Sequence, residues 1–187
     1  MKIVVTTALM IATMLVAAAP LNGVLAQAPS GPPKPPAELK QLDIFVGTVN
    51  CAGKQNASPF GAAHANETVY VGKRDLGGSW VLVRVNEKKT KVNPLPQQAL
   101  WQISYDPAAK QFYTIWSDRF GGWGPQTSPG WQGDSMTVTG DYYVAGQKLG
   151  ARDVFSRKSP QEFFHTVELT GPDGKWFTFI EETCRKK

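Results

Sequence analysis

Beyond residue 42 the chain shows no convincing helical period. Short segments rich in Val, Ile, Thr, Phe, Tyr and Trp recur instead, each closed by a turn signal. This pattern predicts strands over 44–51, 66–74, 79–88, 97–105, 111–118, 125–131, 135–143, 148–157, 162–170 and 175–184. The turns between them have chemical reasons. Asp75-Leu76-Gly77-Gly78 supplies residues tolerant of positive φ, and Asp106-Pro107-Ala108-Ala109 puts proline at the second turn position. Gln132-Gly133-Asp134, Ala145-Gly146-Gln147 and Gly171-Pro172-Asp173-Gly174 repeat the theme. About ten short strands joined in sequence make an all-β, up-and-down antiparallel meander. Closing that meander into a barrel removes its two exposed edges.

The 187 residues suit one domain with a sizeable core. Lys2 followed by the apolar run Ile3 to Ala19, cut off by Pro20, reads as a signal peptide, with cleavage expected between Ala26 and Gln27. An uncleaved anchor is the alternative, because the run approaches the length of a membrane span. No cysteine follows the run to mark a lipoprotein, and no second stretch approaches span length. The expected location is therefore periplasmic or secreted, without stable membrane insertion once the leader is removed. Pro29 to Pro36 holds five prolines in eight residues and should be an extended spacer. Ala37 to Leu42 is expected to add one helical turn, with proline at its start. The predicted organisation is a leader over 1–26, a spacer with a short turn over 27–41, and the barrel over 42–187.

Cys51 and Cys184 are the only cysteines, near opposite ends of the folded region. In an oxidising compartment an even count reads as one disulfide. A reactive thiol pair or metal site would call for a CxxC or a nearby histidine ligand, which neither cysteine has. Joining the first and last predicted strands requires Cα atoms within about 7 Å. A closed barrel provides that proximity and an open meander does not.

Leu42-Asp43-Ile44-Phe45-Val46-Gly47-Thr48-Val49, Ser104-Tyr105-Asp106-Pro107, Trp116-Ser117-Asp118, the turn Pro129 to Asp134 and Asp173-Gly174-Lys175-Trp176 carry a resemblance. Together they resemble a bacterial family of lipocalin-like (calycin) domains of unknown function. Its ten-stranded barrel is similar to those of nitrobindin and the fatty-acid-binding proteins. The resemblance spans most of residues 42–185 and implies a lipocalin-like fold. Lipocalin-like barrels often carry Trp two residues after the early Gly, where this chain has Val49. Nitrobindins bind haem through a histidine near the end of the barrel. The last strand here, Phe177 to Cys184, has none, so haem is not carried over and no cofactor is expected.

The chemistry-bearing residues are few. His165 shares an alternating face with Phe163, Val167 and Leu169, which reads as a hydrogen-bonded core histidine or a polar contact in a barrel cavity. His64 falls in the predicted irregular stretch 52–65 and is expected to be an exposed loop residue. No nucleophile elbow, phosphate loop, HExxH or calcium loop is present, so no catalytic or metal-binding set is assigned. Adjacent Glu181 and Glu182 face opposite sides of a strand and cannot pair as acid and base. Trp101, Tyr105 and Trp116 alternate within strands and suit either a packed aromatic core or the wall of a small-molecule pocket. Arg84 and Arg152 lie within strand patterns. They are surface residues laying their stems along the sheet, or inward residues paired with a ligand carboxylate or Glu67. The candidate ligand contacts are thus Arg84, Trp101, Tyr105, Trp116, Arg152 and His165.

Setting Lys2 aside, the excess of basic residues is four, spread along the chain except at Lys88-Lys89-Thr90-Lys91 and the Arg185-Lys186-Lys187 tail. That dispersion argues against a nucleic-acid partner. The leading expectation is a non-catalytic barrel that binds a small apolar or amphipathic molecule. An envelope interaction or structural protein is the rival, and an enzyme acting on a molecule held in the barrel is the third reading.

Overall fold

The computed structural model describes Gly31 and residues 34–187. The expected leader and the start of the proline run lie outside these residues. A 3-10 helix, Ala37–Phe45, precedes β1 (Gly47–Gln55), β2 (His64–Asp75), β3 (Trp80–Glu87), β4 (Gln98–Asp106), β5 (Gln111–Asp118) and β6 (Trp123–Ser128). The two-residue β7 (Trp131–Gln132) follows, then β8 (Ser135–Val144), β9 (Gln147–Ser159), β10 (Glu162–Thr170) and β11 (Trp176–Lys186). Apart from β6 and β7, each strand pairs antiparallel with its sequence neighbours, and β7 hangs on β8 as a short flap. Two further pairings, β1 with β11 and β6 with β8, close the sheet into a ten-stranded up-and-down barrel. The expected all-β barrel is therefore the fold.

Closure is covalent at one seam. Cys51 and Cys184 face each other in the β1–β11 register and form a disulfide, with Cα atoms 4.0 Å apart. The second seam is held differently. Between β6 and β8 only Trp123–Tyr143, Gln126–Gly140 and Thr127–Thr139 are in register. Pro125 has no N–H to give this ladder. A Cβ on Gly140 would fall 2.3 Å from the Pro125 carbonyl oxygen, so only glycine lets the two backbones approach.

The helix differs most from expectation. It runs to Phe45, which removes Ile44 and Phe45 from the first strand, and β1 extends to Gln55 instead. The reason is packing. Leu39, Leu42 and Phe45 are fully buried and stopper one end of the barrel. The Phe45 ring meets Trp101, Phe155 and Phe163 edge-on at 5.1–5.5 Å between centroids. Burying one such ring is worth about 1.5–3 kcal/mol, well above the preference of a short apolar run for strand. Gly72 makes room for the plug, since a Cβ there would sit 1.8 Å from the Phe45 carbonyl oxygen. Arg74 donates to the Leu39 carbonyl, and Trp131 Nε1 donates to the Gln41 carbonyl at 2.9 Å. Lys186 Nζ adds a bond to the Asp43 carbonyl at 2.7 Å.

The predicted irregular stretch 52–65 shrinks to 56–63, because β1 and β2 pair as far as Gln55 and His64. The predicted strand 125–131 is divided between β6 and β7. Up-and-down order places connections 56–63, 88–97, 119–122, 145–146 and 171–175 together at the end opposite the plug.

Closing a loop of 133 residues removes much of the unfolded chain's freedom. Replacing Cys51 and Cys184 by Ser should lower unfolding free energy by about 3–5 kcal/mol while leaving the far-ultraviolet circular dichroism spectrum unchanged. Denaturant titration of both proteins checks this, and equal midpoints would contradict it.

Candidate functional site

Above the aromatic plug the barrel interior turns polar. β2 points Asn66, Thr68 and Tyr70 inward, β11 points Glu182, β10 points His165 and β9 carries Asp153. These positions follow from alternation, because Glu182 is two residues from Cys184 and His165 two from Phe163. Glu182 is 2% exposed and accepts from Tyr70 Oη at 2.6 Å and from Asn66 Nδ2 at 2.8 Å. Thr68 Oγ1 donates in turn to Asn66 Oδ1 at 3.0 Å. His165 lies between two carboxylates: Nδ1 is 2.9 Å from Glu182 Oε1, and Nε2 is 3.1 Å from Asp153 Oδ1. Gln126 Nε2 donates to Asp153 Oδ2 at 3.2 Å, and Thr114 Oγ1 reaches Gln126 Oε1 at 3.4 Å. One relay thus crosses the barrel from β2 to β5.

Both imidazole nitrogens face carboxylate oxygens, and the Tyr70 hydroxyl, 3.2 Å from Nδ1, gives its proton to Glu182 instead, which makes the ring an imidazolium. Burial is the largest influence on His165 and opposes its charge. The hydrogen bonds and charges of Asp153 and Glu182 outweigh it and push the pKa up to about 9. Burial first, then the charge of Glu182, raises the Tyr70 phenol well above its ordinary value and keeps it a donor. The ring of His165 is also fixed from the side, stacked on Phe155 at 4.3 Å and nearly parallel to it. Phe155 in turn stacks on Trp101 at 5.6 Å. An imidazolium with two carboxylate partners has no lone pair to offer as a base or a metal ligand. Cys51, Cys184 and Glu182 also bring ligand atoms within 4.8 Å of one another. The two sulfurs are bonded to each other and are not thiolates, so they too offer no ligand pair.

Of the six expected ligand contacts, four face inward. Trp101 and His165 are buried in the stack just described, and Tyr105 meets Phe112 edge-on at 5.1 Å. Trp116 is half-buried, with Nε1 donating to Asp118 Oδ2 at 3.0 Å. The two arginines face outward. Arg84 is exposed between Leu82 and Asn86 on the outer wall of β3. Arg152 bonds Glu168 at 2.6 Å and lies over the Trp176 ring at 4.7 Å. The outward alternative holds for both, because β3 turns Val81, Val83 and Val85 into the core and β9 turns Ala151 and Phe155. The six therefore do not form one cluster.

His64 also departs from expectation. It opens β2 with its side chain almost covered, Nε2 lying 3.0 Å from Glu87 Oε1. Glu87 Oε2 accepts from the Gln97 amide, so the pair fastens both ends of the 88–97 connection. Glu182, Asp153, Tyr70 and Gln126 were not assigned to a site from the sequence, although Glu182 was separated from Glu181 by face. The available signal was parity: once Cys184 faces inward, Glu182 must as well.

Two open depressions meet the relay at its ends. One, of about 420 Å³, lies over Gly53, Phe164 and Glu181 and is lined in part by Glu182. The other, of about 450 Å³, follows the β5–β6–β8 seam. Tyr113, Ile115 and Pro125 give it apolar walls, and Thr114 and Gln126 reach it from within.

The raised pKa of His165 has a defined sign in stability. Its folded pKa of about 9 exceeds the ordinary value of 6.5, so the stabilisation is complete below pH 6.5 and disappears as pH rises through about 9. The wild type should lose roughly 3 kcal/mol over that window, and His165→Gln should lack this slope. Denaturant unfolding at a series of pH values checks it, and parallel profiles would contradict it.

Comparison with known proteins agrees with this fold. A search of curated protein sequences gives no match. Among solved structures, the crystal structure of Rv2717c from M. tuberculosis superposes with a TM-score of 0.62 at 9% identity. The match covers 82% of this chain and 99% of that one. At that identity the likeness concerns the barrel alone. Residues 34–186, from the residues before the plug helix to the end of β11, match the family described as protein of unknown function DUF1579, and the chain belongs to that family.

Proposed function

We propose that the protein is an exported, non-catalytic, lipocalin-like barrel that binds a small amphipathic molecule at the β5–β6–β8 seam. The seam groove carries this reading. Its volume of about 450 Å³ lies within the usual range for small-molecule sites. Tyr113, Ile115 and Pro125 line the groove from the outer wall, and the buried, inward-pointing Thr114 and Gln126 form its floor. The Thr114–Gln126 contact of 3.4 Å is the longest in the relay, close to the limit for a hydrogen bond. A ligand donor, such as an amine or hydroxyl head group, would satisfy Gln126 Oε1 better than Thr114 does. The carboxylate of Asp153 behind Gln126 favours such a head electrostatically, and the apolar tail lies along Ile115 and Pro125.

The occupied nitrogens of His165 support binding without catalysis. The disulfide supports an oxidising compartment. Among the described residues no helix is long and apolar enough to cross a membrane.

Titration with an alkylamine and a fatty acid of equal chain length, read by tryptophan emission and native mass spectrometry, tests the proposal. The amine should bind more tightly. Gln126→Ala should weaken it about five- to tenfold, Ile115→Asp should abolish it, and Arg84→Ala should leave it unchanged. Absence of binding by either probe, or equal affinity in the Gln126 and Ile115 variants, would overturn the assignment.

A further inference from the structure

The two ends of the barrel differ in charge and apolar exposure. The five connections opposite the plug hold Lys88, Lys89, Lys91, Arg119 and Lys175 against one acidic residue, Asp173. The plug-end connections, 76–79, 107–110, 129–130, 133–134 and 160–161, hold one of each, Lys110 and Asp134, and the plug segment and C-terminal tail add Lys34, Lys40, Lys186 and Lys187 against Glu38 and Asp43. Exposed apolar side chains divide the same way. Phe60, Val92, Leu95 and Phe120 lie on connections opposite the plug, and Trp123 and Trp176 open β6 and β11 at that end. Among the large exposed apolar residues of the described chain, the plug-end connections hold only Leu76, with Val71 exposed nearby on β2 beside Gly72.

Cations and apolar groups are interleaved at this end. Lys91 precedes Val92, Arg119 precedes Phe120 and Lys175 precedes Trp176. Arg119 lies over the Phe120 ring at 5.8 Å, and Arg152 lies over Trp176. Trp123 stacks on Tyr143 at 4.8 Å, with Lys148 Nζ 5.8 Å from the Tyr143 ring. Some cations have exposed partners: Lys88 pairs with Glu67, Lys148 with Asp141 and Lys175 with Asp173. Such exposed pairs are weak and exchange readily for another anion.

We infer that this end of the barrel docks on an anionic lipid surface. Apolar and aromatic side chains at loop tips enter the head-group region, and Lys and Arg beside them meet lipid phosphates. Apolar tips spread over four separate segments suit a broad, fluid surface better than a single groove suits a peptide. Charge complementarity selects the anionic surface over a second copy of the chain, because two such ends would present like charge to each other. The inference concerns the outer rim and does not depend on what the seam groove holds.

The test is co-sedimentation of the purified full chain with phosphatidylglycerol-containing vesicles and with phosphatidylcholine vesicles, at low and high salt. Binding should need phosphatidylglycerol and weaken with salt. Lys89→Gln, Lys91→Gln and Arg119→Gln combined should reduce it about 100-fold. Brominated lipid should quench tryptophan emission, and Trp123→Phe should remove much of that quenching. All variants share the same N-terminal segment, so differences between them report the loops. Equal binding to both vesicle types, or no loss in the triple variant, would overturn the inference. So would a dimer dissociated by Phe120→Ser in protein that ignores vesicles.

Discussion

The charge on His165 organises the interior. An ionised imidazole in a β-barrel core is costly unless its partners compensate it, and losing a partner from a buried pair costs about 3–5 kcal/mol. Here the compensation comes from two strands on either side of β10, through Glu182 of β11 and Asp153 of β9. Tyr70 and Asn66 of β2 fix Glu182, and Gln126 of β6 fixes Asp153. Among the described residues no buried side-chain polar atom lacks a hydrogen-bond partner. A fully satisfied network of this kind specifies one arrangement of its strands, because any slip would orphan charged groups.

The network divides the molecule into two ends with different physics. On one side the Phe45 plug and the Trp101–Phe155 stack fill the barrel with dispersion contacts and hold the chain's entry helix in place. On the other side the interior is polar and the rim is basic and aromatic. The disulfide lies near the boundary, because Cys184 shares its face with Glu182. The β6–β8 seam lies across the barrel from it and has neither a covalent tie nor a full ladder.

Much of the barrel was legible because turns and alternation are local signals. Asp75 to Gly78, Asp106 to Ala109 and Gly171 to Gly174 all reverse the chain between strands, and Cys51 with Cys184 located the closing seam. The plug was not legible. Leu42 to Phe45 is as good a strand as a helix by composition, and only burial against Trp101 and Phe163, far along the chain, decides between them. The relay was half legible. His165 was placed on an apolar face, and Glu181-Glu182 were separated to opposite faces. Glu182 went unassigned because a carboxylate in an apolar interior has no local signature; its partners lie on other strands. The same holds for His64, whose cover comes from Glu87 and Asn93 across a connection. Arg84 and Arg152 could be oriented only once Val83 and Ala151 were known to face the core.

His165 as an imidazolium held on both sides is the centre of this interior, and nitrogen-15 NMR of its ring tests that most directly. At about pH 8, below its raised pKa, both Nδ1 and Nε2 should give protonated signals, with N–H protons protected from exchange with water. They should change together only as pH rises through about 9. A ring with one unprotonated nitrogen at that pH would contradict the account. It would leave a lone pair inside the barrel, free for proton transfer or ligation.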